Sequence, residues 1–553
     1  MSEKLFYLKP NVVIEPLVDR WYAWPHLISP ATAARNISGR HLKIMNSYIQ
    51  APHVHAAAVK NPKLLGGPFM DLPQGSMQEV KNLREQTQTN HKDLLEFSDA
   101  ITALEKLLKS HVKGYSLEPL YDKVPEILKG YVELVYDLNN NPSFRFFEHL
   151  LYASEFYKPS MQSFSFWITN NDQRPFVLST PRVDSNDVLH LNIPFNSTFI
   201  DALSEMRRTP KALTDLKAQV TLTPEQEKLF ETFFTDEAPP AYKKYEGDKL
   251  RMRYFGHACI LVETKDVNIL IDPIISYYGY YSDVSRFSDM DLPDVIDYVL
   301  ITHNHQDHIL FETLLPLRHK IKNLVIPKST SGALQDPNLK LMFKSLGFKN
   351  VVEIDEMEPM EFPDCTLTGI PFIGEHSDLN IHSKVCHHAR VGDFTMLFVA
   401  DSCNVTPQLY EHVHRQMGDV DIIFLGMECD GAPLTWLYGP LLSEDLPRDM
   451  DNSRRLAGSN YEKGIALVNV FKPKEVYVYA MGQEPWLEFI SSLKYTPESN
   501  PIVASDKLVN ECLSRGIVSE RLFGEKELLY HYTAGQQTLS LQEAETAELL
   551  ETV

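Results

Sequence analysis

Seven consecutive residues constrain this chain more than any other stretch: Thr302-His303-Asn304-His305-Gln306-Asp307-His308. The apolar run before them, Tyr298-Val299-Leu300-Ile301, reads as a buried strand of a covered sheet. Ile309 to Lys320 have helical spacing. The cluster therefore sits on a turn at the carboxyl end of a strand, where open α/β sheets bind ligands. His303 and His305 point to one side of an extended turn, while Asp307 and His308 reach a second position. The spacing predicts a dinuclear metal site: His303 and His305 for one ion, Asp307 and His308 for its neighbour. A solvated surface loop is a poor explanation of three imidazoles and a carboxylate straight after a buried strand.

The pattern H-x-H-x-D-H matches the metallo-β-lactamase superfamily signature. That resemblance implies an αββα sandwich with a metal site on one edge. The strands Met252–Phe255, Ile260–Val262 and Val267–Ile271, the last ending at Asp272-Pro273, are how such domains commonly open. His257 is assigned to packing in that opening, with the outer shell of the site as the lesser alternative. Tyr277, Tyr278, Tyr280 and Tyr281 surround Gly279 and form either one wall of a substrate pocket or a hydrophobic surface loop.

A zinc hydrolase of this superfamily needs three further ligands: a histidine, a bridging aspartate and a final histidine. Gly374-Glu375-His376-Ser377-Asp378 follows the apolar stretch Leu367 to Ile373 and offers the first, although spacing alone does not choose between Glu375 and His376. Asp401 stands at the end of the strand Phe394–Ala400 and offers the bridge. The final histidine is missing. His412 and His414 fall in a predicted helix, Pro407–Met417, and His531 in a late alternating strand. The strand Glu475–Ala480 runs instead into Met481-Gly482-Gln483-Glu484. A site short of imidazole and rich in carboxylate suits iron or manganese, so a redox di-iron centre competes with a hydrolytic di-zinc one.

The rest of the chain sets the frame. At 553 residues and 43% hydrophobic content, two or three domains with large cores are expected. Charges sum to 53 − 74 = −21, which disfavours general nucleic-acid binding. No run of about eighteen apolar residues predicts a membrane span, and the amino terminus lacks a secretory signal. The six cysteines form no C-x-x-C pair, as expected of buried free thiols in a reducing cytoplasm. Residues 1–240 read as an α+β domain with helices over Ser76–Lys113, Val124–Asp137 and Pro142–Tyr152, and with strands between 161 and 200. Ser76 with Glu79 resembles a capping box, and Thr223-Pro224-Glu225 opens a later helix. His53 and His55 are expected in surface or packing roles. The polar, Pro-containing stretch Thr235–Lys244 is the linker to a catalytic domain at 241–533. Residues 534–553, with four glutamates, read as a disordered or frayed acidic tail.

A narrower resemblance rests on Pro371 to Asn380, Ala400-Asp401-Ser402 and Gly426 to Pro433, with weaker support from Glu15 to Asn46. These residues are similar to the chloramphenicol-pathway β-hydroxylase family, di-iron monooxygenases with a metallo-β-lactamase fold. The resemblance implies hydroxylation of the β-carbon of an amino acid tethered to a nonribosomal peptide synthetase carrier domain. It implies two iron ions, molecular oxygen as co-substrate, an external electron donor protein and a homodimer. By position it implies that His303, His305 and Glu375 bind one iron, Asp307 and His308 the other, and that Asp401 bridges them. Glu428 would lie close by, holding substrate or shifting onto iron. An acidic carrier needs a basic landing site; Arg207-Arg208 with Lys211, and Arg454-Arg455, are candidates, though more ordinarily solvated surface. The alternative is a dinuclear metallohydrolase cleaving a thioester, lactone or phosphodiester through a metal-bound hydroxide.

Overall fold

The computed structural model describes residues 4–278, 283–363, 365–532 and 539–543. From Leu250 onward two mixed sheets face each other. The first has eight strands, in the order Val351–Ile354, Ile321–Pro327, Ile296–Leu300, Asn268–Ile271, Ile260–Glu263, Leu250–Tyr254, Lys526–Tyr532, Leu539–Glu543. The second has seven, in the order Pro359–Glu361, Cys365–Pro371, Val385–Val391, Phe394–Phe398, Ile422–Gly426, Glu475–Tyr479, Val518–Arg521. Inward residues of both, among them Ile269, Leu300, Val325, Ala389, Phe398 and Phe424, form the layer between the sheets. Pro407–Met417, Tyr461–Phe471 and Asn500–Ser514 cover the outer face of the second sheet. This is the expected αββα sandwich.

The amino-terminal part has sheets of its own. One orders Trp21–Tyr22, Val12–Val18, Gln162–Ile168 and Leu189–Leu191; another orders Lys211–Ala212, Leu5–Leu8 and Phe234–Thr235. Its apolar side is continuous with the first sheet's outer face. Phe164, Phe166 and Ile200 belong to the same buried cluster as Leu270, Val299 and Phe311. Polar contacts cross this seam too. Arg174 donates to Glu15 and, through two nitrogens, to Glu312 at 2.9 and 2.8 Å. Burial pushes the Glu15 carboxyl up, but the Arg182 and Arg174 guanidiniums outweigh it and hold it at about 2.

Several local expectations change. The helix expected over Ser76–Lys113 is two, Met77–Asn90 and Lys92–Ser110, broken at His91. Ser76 is the N-cap residue but its side chain makes no capping bond, whereas Thr223 and Gln226 form a complete capping box. The helices expected over Val124–Asp137 and Pro142–Tyr152 are largely a hairpin, Val132–Tyr136 paired with Pro142–Phe146, followed by the short helix Glu148–Tyr152. Val132, Leu134 and Tyr136 alternate, and the Asn139-Asn140-Asn141 turn places Asn140 at φ 57°, so turn chemistry decides for strand. Phe176-Val177-Leu178 forms no strand. Within the stretch expected to be an unstructured tail, Leu539–Glu543 pairs antiparallel with Lys526–Tyr532. The open edge of that strand offers unpaired backbone groups that outweigh acidic composition; the remainder of 534–553 lies outside the described residues. His55 packs as expected, its Nε2 3.0 Å from Ser47 Oγ and its Nδ1 accepting from the Met70 N–H. All six cysteines are free, five of them buried. Among the described residues no helix is long and apolar enough to cross a membrane.

Two outcomes test the seam. Arg174→Met leaves the buried Glu312 without its guanidinium and Glu15 with Arg182 alone, and denaturant unfolding should show a loss of about 3–5 kcal/mol. Glu148 accepts from the Asn338 N–H at 3.1 Å, and burial pushes its carboxyl up to about 7 from 4.5. A raised carboxyl stabilises fully below its unfolded value and loses that contribution as pH rises through its folded one. Glu148→Gln should therefore gain in Tm on the parent between about pH 5 and about pH 8.

Candidate metal centre

Strand Ile296–Leu300 lies in the middle of the first sheet, parallel to both neighbours, and delivers residues 302–308 to the sandwich edge. Thr302 fixes the turn: its N–H and hydroxyl donate to Asp272 Oδ1 and Oδ2 at 2.8 and 2.6 Å. Asp272 ends the adjacent strand at φ 38° and also accepts from His308 Nδ1 at 2.8 Å. That bond turns His308 Nε2 inward, to 3.0 Å from Asp401 Oδ2. A carboxylate on the far nitrogen of a ligating histidine fixes its tautomer and raises its basicity. Burial pulls His308 down, but Asp272 and Asp401 outweigh it and hold the imidazole well above its ordinary value.

The residues singled out by spacing converge. His303, His305 and Glu375 bring one donor atom each within 4.8 Å of one another, and so do His303, His308 and Asp401. Asp401 Oδ2 lies 3.8 Å from His303 Nε2 as well as beside His308, the location a bridging carboxylate needs. Glu375 Oε1 is 2.9 Å from His305 Nδ1. Glu375, Ser377 and Asp378 all hold left-handed φ angles, 60°, 55° and 59°. Each non-glycine residue there costs about 1–3 kcal/mol, a strain typical of functional loops. Of the two neighbours that spacing left open, Glu375 enters the cluster and His376 does not. His376 stacks on His305 with ring centroids 4.4 Å apart, and burial holds it at about 4.

His257 goes beyond both the packing role and the outer-shell alternative expected of it: its Nε2 lies 3.4 Å from Asp307 Oδ2, and it forms a third donor group with Asp307 and His308. Its left-handed backbone, φ 50°, in the turn after Leu250–Tyr254 swings the ring across the sheet edge. The only sequence signal was Gly256-His257, a turn glycine before an imidazole. Burial pushes the Asp307 carboxyl up, but His257 and His308 outweigh it and hold it low. Another residue that spacing does not reveal is Tyr438. With His305 Nδ1 turned to Glu375, Nε2 is hydrogen-bonded with Tyr438 Oη at 2.8 Å. Where the final histidine would stand, Ala480 and Met481 face the cavity instead.

Above the cluster lies a cavity of about 980 Å³ between the amino-terminal part and the sandwich. Its floor includes His257, His305, Asp307, Glu375 and Asp401. Glu428 also faces it; burial pushes that carboxyl up to about 7, with Gly431 N–H and Tyr495 Oη donating to it. Phe69, and Phe176 stacked on Trp436 at 5.3 Å, supply aromatic wall. Tyr277 is not wall: its hydroxyl accepts from the Ile14 N–H at 3.0 Å, across the seam. Tyr280 and Tyr281 lie outside the described residues. Arg207 and Arg208 are not a landing site either. Arg207 pairs with Asp289 at 3.1 Å, and Arg208 donates to carbonyls of 289–292.

The donor set fits cations. His257 Nδ1 and Nε2, His303 Nε2, Glu375 Oε2 and Asp401 Oδ1 are buried with no hydrogen-bond partner. Each such group costs about 1–3 kcal/mol if left so. Burial and the neighbouring His308 hold His303 well below its ordinary value, neutral and ready to ligate.

Comparison with known proteins agrees. A di-iron non-haem β-hydroxylase N-terminal domain model matches residues 7–239, and a β-lactamase superfamily domain model matches residues 267–432. The 4-amino-L-phenylalanyl-[CmlP-peptidyl-carrier-protein] 3-hydroxylase of Streptomyces venezuelae is 39% identical over 525 residues, 94% of this chain and 98% of that protein. The chain belongs to the di-iron β-hydroxylase family. The crystal structure of CmlA, a di-iron β-hydroxylase from Streptomyces venezuelae, superposes with a TM-score of 0.89 at 38% identity, covering 95% of this chain and 100% of that one. A UPF0173 protein of Pyrococcus abyssi is 34% identical over 127 residues, 23% of this chain and 50% of that protein. The di-iron reading thus prevails over the metallohydrolase alternative, and two irons are the cofactor.

Tyr438→Phe keeps the ring but removes the oxygen hydrogen-bonded with His305 Nε2. Iron retention against a chelator should fall about 10–100-fold, as for other lost partners of ligating histidines. Unchanged retention would show that Tyr438 does not position His305.

Proposed function

We propose that this di-iron β-hydroxylase oxidises the β-carbon of an amino acid held as a thioester on a nonribosomal peptide synthetase carrier domain. The cavity carries the reading: it runs from solvent between two parts of the chain to the His303–Asp401 cluster, a route suited to a tethered acyl group. The relative named above acts on a carrier-bound aminoacyl group. The reading includes an external electron donor protein, a cytoplasmic location and a homodimer. It places the catalytic domain at 241–533, with 1–240 as the domain that docks the carrier or a second copy.

His303, His305 and Glu375 would hold one iron, Asp307 and His308 the other, and Asp401 both; His257 joins the second group. Bound iron supplies the activation of molecular oxygen. The chain's own part is positioning. Asp272 and Tyr438 aim two histidines by their far nitrogens. The aromatic wall excludes water from the acyl group. Glu428, accepting from Gly431 and Tyr495, presents a carboxylate to the substrate ammonium.

The test is iron-loaded protein with reductant, ¹⁸O₂ and aminoacyl-carriers, 4-aminophenylalanyl among them. One labelled oxygen atom on the carrier-bound acyl group is expected, with slow turnover of the free amino acid. Glu428→Gln should raise KM for the loaded carrier about tenfold, the value of one charge-assisted contact. Hydrolysis of the thioester without oxygen incorporation would sink the reading.

A further inference from the structure

The mouth of the cavity has a charge the chain as a whole lacks. Net charge is −21, yet three exposed cations line the opening: Lys43, Lys63 and Arg455. Lys43 lies on helix Leu42–Gln50, one helical face with the cavity-lining Arg40 and Ser47 at spacings of three and four. Lys63 lies on the short turn Pro62–Leu64 that follows the helix Pro52–Ala58. Neither lysine ammonium has a hydrogen-bond or ion-pair partner among the described residues. Arg455 comes from the sandwich side, anchored by donation to the Asp430 and Gly431 carbonyls. The facing carboxylates are Glu444 and Asp445; Glu444 is already paired with Lys109. The rim is therefore locally cationic, while the floor holds the carboxylate-rich metal cluster.

The size of the cavity adds a second constraint. About 980 Å³ is near the upper end of the roughly 300–1,000 Å³ that suits a drug-sized ligand. It holds an aminoacyl group with an extended linker behind it. A carrier-bound thioester has such a linker, a pantetheine chain joined to the carrier serine through a phosphodiester. The acyl end belongs at the floor and the phosphodiester at the rim.

The geometry points to a phosphate subsite: Lys43 and Lys63, with Arg455 opposite, receive the phosphodiester of the carrier's phosphopantetheine arm. This rests on the carrier reading above. The lysines act as point charges on phosphate oxygens, so the contact weakens as salt rises. Its effect is to set how deep the arm sits and so to place the acyl group over the cluster. The two lysines come from the amino-terminal part, which gives that part a direct share in substrate binding.

The probes are carrier-free amide analogues of aminoacyl-phosphopantetheine and aminoacyl-pantetheine, identical but for the phosphate, with binding to the iron-loaded protein followed by calorimetry. The phosphorylated analogue should bind about tenfold more tightly at low salt. Lys43→Met with Lys63→Met should abolish that preference, and Lys43→Arg with Lys63→Arg should restore most of it. Equal binding of the two analogues, or a preference that survives the double methionine variant, overturns the subsite and leaves the carrier reading standing. Binding of neither analogue overturns both.

Discussion

Buried imidazoles and carboxylates crowded at one sheet edge, several of their inner atoms without a hydrogen-bond partner, are the constraint on which this structure depends. His303 and His308 are fully buried, and Glu375 and Asp401 nearly so. A protein tolerates such a cluster only if cations complete it and the surrounding backbone is rigid enough to hold the donors in place. The central parallel strand Ile296–Leu300 supplies that rigidity, and Asp272 supplies the rest by fixing Thr302 and His308 together. Donors arrive from both sheets, Asp401 and Glu375 from the second and the remainder from the first, so the site also ties the sandwich edges together.

The composition of the donor set tells which chemistry the scaffold serves. Glu375 joins the two histidines of one donor group, and Ala480 and Met481 face the cavity where a zinc hydrolase is expected to place an imidazole. Oxygen donors favour iron and its higher oxidation states. One fold thus hosts two reaction classes through a change of a few side chains at strand ends, and function must be read from the site rather than from the architecture.

The amino-terminal part is more than an appendage. Its apolar surface merges with the outer face of the first sheet, its Glu15 shares a buried arginine with Glu312, and its residues form one wall and part of the mouth of the cavity. A sandwich alone would leave the cluster at an open edge. Covering that edge turns it into the end of a passage, which suits a substrate presented on a tether.

The sequence by itself determined the sandwich and most of the residues that cluster at its edge. His303, His305, Asp307 and His308 are contiguous, and Asp401 ends a readable strand, so local pattern was enough. The choice between Glu375 and His376 was legible only through family resemblance, since adjacent residues differ in direction and not in spacing. Other features had no local signal. In Val132–Phe146 turn residues override a helical composition, and Leu539–Glu543 is a strand because the neighbouring Lys526–Tyr532 is itself held in the first sheet by Leu250–Tyr254, far back in the chain. Only the tertiary structure decided that His257 faces Asp307, that Tyr438 lies against His305, that Arg207 and Arg208 are spent on backbone carbonyls and Asp289, and that Lys43, Lys63 and Arg455 line one cavity. In each case the reason is the same: a side chain's role depends on what folds against it, and partners tens to hundreds of residues away are brought there by sheet order and core packing.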